Sequence, residues 1–183
     1  MIRTLILTLV MVIGSQASVR PIILKQEKEK GIPHGLLLAI ASVESKESPY
    51  VVNAKGRSYN FKSAGEAANF VRKVQKEGYT NINVGCMQLN VPSHRRNFAS
   101  IEKMIEPESN IAYAAKLLKR LERDHGSIEH AVRYYNSSCP IANTRYKQKV
   151  DNAWSRTCLV SAEPSSRKNT KVNLGLGRKS KKN

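Results

Sequence analysis

The sequence predicts a mainly α-helical fold of the α+β class, with one small β-element inserted early among the helices. Three observations carry this prediction. Apolar residues recur at helical spacing in Leu36 to Val43 and again in Ile111 to Leu121, and both stretches are bounded by residues that start or stop helices. Strand-like patterning is confined to Val51 to Phe61 and to Ile82-Asn83-Val84, too little for an extensive sheet. The chain has 183 residues, which leaves one ordinary domain once an export leader and a basic tail are set aside.

The leader comes first. Arg3 gives a positive start, Thr4 to Ile13 form a short apolar run, and Ser15-Gln16-Ala17 is a small-x-small cleavage site. Residues 1–17 are therefore expected to be a secretory signal peptide, with the mature domain spanning 18–158. An uncleaved anchor is the alternative reading, and the shortness of the run counts against it. No other stretch is apolar enough to cross a membrane, so the mature chain is expected to be exported without a transmembrane segment.

A first helix is expected from Ile22 to Lys30, ended by Gly31. The next runs from Pro33 to Ser45, with Pro33 suited to a first turn that needs no N–H donor. Pro49 closes it. Val51-Val52-Asn53 and Ser58-Tyr59-Asn60-Phe61 then flank Ala54-Lys55-Gly56-Arg57, a hairpin turn in which Gly supplies positive φ. Ser63-Ala64-Gly65-Glu66 is a capping box for a helix through Lys76, stopped by Gly78. Ile82-Asn83-Val84 alternates and returns as a strand into Gly85-Cys86-Met87-Gln88-Leu89-Asn90. Pro107 opens a helix with Ile111, Ala114, Ala115, Leu118 and Leu121 on one face and Gly126 as its stop. Ser127 caps the next, which carries Tyr134 and Tyr135 and ends near Asn136. A last helix spans Ala142 to Ser155 with Val150 and Trp154 inward. Tyr134, Trp154 and the Leu118 stripe are assigned to the core. Residues 159–183, rich in Ser, Asn, Gly, Lys and Arg and without apolar periodicity, read as a disordered basic tail.

Composition narrows the partners. A formal net charge of +17 points to an anionic partner: nucleic acid, anionic lipid or an acidic wall polymer. Export weighs against nucleic acid. Much of the excess lies in the tail, so the charge describes the domain only in part. The cysteines Cys86, Cys139 and Cys158 form an odd set for an oxidising compartment. Cys139 and Cys158 flank the last helix and are the expected disulfide, while Cys86, in an apolar segment, is expected to be a buried free thiol. There is no CxxC and no HExxH, and the four His are scattered, so neither a metal site nor a cofactor is expected.

The residue that most suggests chemistry is Glu44. It lies three, four and seven residues after Ala41, Ile40 and Leu37 and so extends their apolar stripe. A carboxyl at the edge of an apolar face is desolvated, which raises its pKa and lets it donate a proton near neutral pH. A solvated Glu at a frayed helix end is the competing reading. Ser48 through Gly65 holds no Asp or Glu, so no second carboxylate follows Glu44 nearby. Glu47 follows too closely, on the opposite side of a turn, to face Glu44, which leaves only distant candidates such as Glu102, Glu106 and Asp124.

Glu44-Ser45, Gly85-Cys86-Met87-Gln88, Asn110-Ile111 and Tyr135-Asn136 stand in the order found in soluble lytic transglycosylases, and residues 20–158 resemble that family. The resemblance is to its exported kind, associated with secretion, conjugation and pilus systems. Departures from the familiar pattern are Cys86 where Leu is common, a long stretch between Glu44 and Gly85, Tyr134 for a small residue, and Ser137 for Gly. The resemblance implies a lysozyme-like fold with a glycan cleft and a periplasmic location. It also implies cleavage of peptidoglycan between N-acetylmuramic acid and N-acetylglucosamine with closure of a 1,6-anhydro ring. Glu44 is then the catalytic acid/base. Ser45 hydrogen-bonds the scissile region, orients Glu44, or serves local backbone bonds at the helix end. Gln88 binds an acetamido group or hydroxyl, and Met87 packs on a sugar face or fills the core. Tyr135 holds the catalytic Glu, and Asn136 fixes the turn or touches glycan. A two-carboxylate glycosidase needs a second acid, so the lone Glu44 favours the intramolecular reaction. A hydrolytic muramidase and a non-catalytic wall-binding scaffold of an envelope machine are the alternatives.

Overall fold

The computed structural model describes residues 18–137 and 139–162, with side chains described through Thr157. The expected leader over 1–17 and the tail beyond Ala162 lie outside the described residues. Helices α1 (Arg20–Lys30) and α2 (Leu36–Ser45) are followed by strands β1 (Val51–Ala54) and β2 (Arg57–Asn60) and helix α3 (Ala64–Lys76). Strands β3 (Asn83–Val84) and β4 (Leu89–Asn90) lead into α4 (Val91–His94), a 3-10 turn, and α5 (Ile101–Ile105). Helices α6 (Pro107–His125), α7 (Ile128–Asn136) and α8 (Pro140–Ala162) complete the described chain. The result is a helical body with one small antiparallel sheet, the α+β class that the sequence predicts and the lysozyme-like arrangement that the resemblance implies.

Helix α2 is the centre of the fold. Leu36 through Ala41 are all buried, so its first turns are enclosed on every side rather than along one stripe. It packs against α8 and α1, while α6 packs against α7 and α1. Its N-terminus is closed by Glu27 of α1, itself 2% exposed. The Glu27 carboxylate accepts from the backbone N–H of Gly35 at 2.8 Å and of Leu38 at 3.1 Å. Those donors would otherwise be unpaired at the helix start. The helix begins at Leu36 rather than at Pro33 because Gly35, at φ 79°, turns the chain into it. A side chain there would also press on Thr157 of α8.

The C-terminus of α2 is a tight stop. Lys46 and Glu47 both have positive φ, and the Glu47 N–H donates back to the Ala41 carbonyl at 3.2 Å. The Arg20 guanidinium grips the Glu47 carboxylate through two bonds, at 2.6 and 2.9 Å. This pairing holds a backbone that non-glycine residues seldom adopt.

The sheet order is β2-β1-β3-β4, antiparallel throughout. The hairpin closes through Lys55-Gly56, both at positive φ, with Ala54 paired to Arg57, the backbone expected of a two-residue turn. Ser63 caps α3 by accepting from Glu66 N–H, and Ser127 caps α7 by accepting from His130 N–H. Helices α4 and α5 fall in a stretch where the sequence showed no long periodicity. Ser100 caps α5, which buries Ile101, Met104 and Ile105 in a single short turn and a half.

The last helix differs most from expectation. It starts at Pro140, not Ala142, and continues to Ala162 rather than stopping at Ser155, past the boundary expected at Cys158. Cys139 and Cys158 therefore lie at opposite ends of one continuous helix. At 1.5 Å rise per residue they stand more than about 25 Å apart, whereas a disulfide needs Cα atoms within about 7 Å. The expected bridge is not formed, and Cys139 is an exposed free thiol. Cys86 is the buried free thiol expected, its pKa pushed up to about 12 chiefly by burial.

Candidate active site

Glu44 sits in the last turn of α2, at the bottom of a cleft of about 710 Å³ between the sheet and helices α6 and α7. The buried run that precedes it carries its side chain to the edge of the core. Burial raises the Glu44 carboxyl to a pKa of about 7, against smaller opposing effects of a hydrogen bond from Tyr146 and the charge of Lys149. The Tyr146 hydroxyl donates to Glu44 Oε1 at 2.7 Å. Burial and the adjacent Glu44 push the Tyr146 phenol well above its usual range, so it stays a neutral donor.

Tyr146 is the residue that the sequence reading missed. It precedes Val150 and Trp154 by four and eight positions on the same face of α8, and that spacing was the available signal. The resemblance assigned the role of holding Glu44 to Tyr135. The structure gives Tyr135 a different partner: its hydroxyl donates to the Met87 carbonyl at 3.0 Å. The two tyrosine rings lie parallel with centroids 6.5 Å apart, so Tyr135 borders the acid without bonding to it.

The turn from Gly85 to Gln88 shapes the wall opposite. Gly85 N–H donates to the Val51 carbonyl at 2.8 Å and Gln88 N–H to the Gly85 carbonyl at 3.1 Å. Gln88 has φ 47° and its side-chain amide donates to the Gly85 carbonyl at 2.9 Å. From α6, the fully buried Asn110 accepts from Met87 N–H at 2.8 Å and donates to the Val84 and Met104 carbonyls at 3.1 and 2.8 Å. One side chain thus fastens sheet, turn and α5 together. Gly85 has to be glycine: its φ is 76°, and a Cβ there would stand 2.3 Å from Asn110 Nδ2.

The other expected site residues separate into two groups. Gln88, Tyr135 and Asn136 line the cleft with Glu44. Met87 and Ser45 do not. Met87 is wholly buried and acts through its backbone, which corrects the sugar-face reading in favour of core filling. Ser45 Oγ lies 3.2 Å from the Ala41 carbonyl and 3.7 Å from Cys86 Sγ, so it bonds locally and braces α2 against the turn. Tyr134, expected in the core, is 37% exposed. It lines the cleft and stacks on His125 with centroids 3.8 Å apart.

The cleft also gathers a row of amides not singled out in the sequence: Asn53, Asn81, Asn83 and Asn90. Asn90 Nδ2 donates to Asn83 Oδ1 at 3.0 Å. Uncharged amides that both give and accept hydrogen bonds suit hydroxyl and acetamido groups. Among the described residues lining the cleft, Glu44 is the only carboxylate. Of the distant acids, Glu102 pairs with Arg72 and Glu106 with Lys103, and Asp124 does not line the cleft; the nearer Glu47 pairs with Arg20. Among the described residues no group of three His, Cys, Asp or Glu stands together as a metal site. No helix among them is long and apolar enough to cross a membrane.

A cleft lined with amides, with one acid protonated near neutrality and held by a phenol, can protonate an ether oxygen and afterwards receive a proton back. The family model for the transglycosylase SLT domain matches residues 21–155. No curated protein and no solved structure matches the chain.

Proposed function

The chain belongs to the transglycosylase SLT family, and from that premise we propose that Glu44 alone performs both proton transfers of glycan cleavage. Members of the family are lytic transglycosylases, lyases that act on peptidoglycan. In the proposed reaction, Glu44 gives its proton to the glycosidic oxygen between N-acetylmuramic acid and N-acetylglucosamine. The resulting carboxylate takes the proton of the muramyl C6 hydroxyl as that oxygen closes on C1 in a 1,6-anhydro ring. The acid is restored, and no water enters the product.

The observation that carries this reading is Glu44, the one carboxylate among the described residues lining the cleft, with its pKa of about 7. A group of that proton affinity serves as acid and base in turn with little penalty at either step. A hydrolytic route would need a second carboxylate several ångströms away to activate water. Tyr146 supports the scheme by donating to Oε1, which steadies the carboxylate formed midway. Gln88, Asn136 and the amide row are assigned to the sugar hydroxyl and acetamido groups.

The proposed setting is the periplasm, reached through the leader expected over residues 1–17. There the enzyme opens the wall locally for an envelope-spanning secretion, conjugation or pilus assembly. The expected export leader supports that setting. If the role is right, deleting the protein blocks assembly of one such machine while growth stays normal; a general defect in cell separation would assign it to bulk wall turnover instead.

The chemistry is tested by mass spectrometry of muropeptides released from purified peptidoglycan. The wild type is expected to give products one water lighter than hydrolysis products, and Glu44→Gln to release none. Hydrated reducing ends would make the enzyme a muramidase. Unchanged turnover by Glu44→Gln would remove Glu44 from the mechanism.

A further inference from the structure

A second groove, of about 500 Å³, opens beside the cleft and differs from it sharply in character. Its cations are Lys30, at the end of α1, and Lys116, Lys119, Arg120 and Arg123 of α6, and no carboxylate lines it. The four α6 residues recur at three-, four- and seven-residue steps, so they form one stripe along the helix. Lys119 is paired with Glu122. Lys30, Lys116, Arg120 and Arg123 make no ion pair among the described residues.

The groove and the cleft share a wall. Leu117 and Arg120 line both. Tyr113 of the groove and His94 of the cleft meet across the boundary at 3.1 Å, hydroxyl to Nδ1. The groove thus adjoins the cleft along α6, with Arg120 at the boundary of the two. The amide row suits the uncharged sugars, but nothing in an uncharged glycan calls for four unpaired cations, Lys30 and three of the α6 stripe. Peptidoglycan carries short peptides on alternate sugars, and those peptides end in and bear free carboxylates.

We propose that the α6 groove binds the carboxylates of the peptide stems, so that the enzyme prefers stem-bearing glycan strands to bare ones. The inference rests on the reading of the adjoining cleft as the glycan site, and it adds a determinant of substrate choice outside the reacting bond. Lys116 and Arg123 supply charge to the stem, and Arg120 marks the junction where stem and sugar part.

The test uses the full chain carrying Glu44→Gln, so that strands are bound without being cut. Calorimetry compares soluble glycan strands that keep their peptide stems with bare strands, stripped by an amidase and then capped as methylamides at the lactyl carboxylates that the amidase exposes. The parent is expected to bind stem-bearing strands more tightly. Adding Lys116→Gln with Arg123→Gln should weaken that binding about five- to tenfold, in line with two exposed charge contacts, and leave bare-strand binding unchanged. The charge-keeping pair Lys116→Arg with Arg123→Lys should restore the preference. The basic tail is present in every variant and cancels from the comparison. Unchanged affinity for stem-bearing strands, or an equal loss on both kinds, would overturn the proposal while leaving the glycan cleft intact. If the parent binds neither strand, the glycan reading fails and takes this inference with it.

Discussion

Glu44 and Tyr146 divide one task between two side chains with opposite effects on a proton. Burial at the end of α2 raises the Glu44 pKa, and the Tyr146 hydrogen bond lowers it again by favouring the carboxylate. On the proposed mechanism the balance near 7 implies a kcat/KM that falls as pH rises through that value, because the free enzyme must hold the proton that Glu44 donates. Tyr146→Phe removes the lowering influence, so the falling limb should move to higher pH while turnover drops about tenfold from loss of positioning. A pH–rate profile checks both effects; an unmoved limb would mean that Tyr146 serves packing alone. Glu44 was legible in the sequence because its spacing from Leu37, Ile40 and Ala41 reports on one helix. Tyr146 was not, because nothing local reveals which distant element its hydroxyl meets. The same ignorance gave Tyr135 the partner that belongs to Tyr146.

The turn between β3 and β4 shows how a short segment is fixed by one group on another element. Asn110 occupies the space a side chain at Gly85 would need, and it satisfies three backbone groups that would otherwise be buried without partners. Gly85→Ala should destabilise the protein by about 2–4 kcal/mol, from the positive φ and the displaced Asn110 together. Thermal denaturation would register it, and a loss below about 0.5 kcal/mol, ordinary for a surface change, would mean that the turn can move aside. Elements written in local chemistry were readable: the Lys55-Gly56 hairpin, the Ser63 and Ser127 caps and the Gly126 stop each need only their own neighbours. Helices α4 and α5 were not, since elements of one turn are too short to show a period and owe their form to the core beneath them. The far end of α8 escaped for another reason. Its sequence lacks an apolar stripe near the end, and the helix continues without a stop signal. That extra length is also what separates Cys139 from Cys158.

Stability of the whole molecule carries the imprint of the site. The Glu44 pKa is raised in the folded state, from an ordinary 4.5 to about 7. Folding is therefore favoured fully below pH 4.5, and that contribution is lost as pH rises toward 7. Relative to Glu44→Gln, the wild type should lose about 2 kcal/mol across that window, a figure reduced from the full linkage value because the side chain is only half-buried. Denaturant unfolding of both proteins at pH 4 and pH 8 would show it; parallel curves would mean a carboxyl that water reaches freely.

The bond between Tyr146 and Glu44 spans 102 residues of chain. A ribosome finishes the acid long before it makes the phenol that steadies it, and between the two lie the whole sheet and helices α3 to α7. Until α8 folds down, the acid has no donor to hold it. On the proposed mechanism the centre is thus completed only by α8, the last of the described helices, and a chain cut short before Tyr146 lacks the donor that holds its acid.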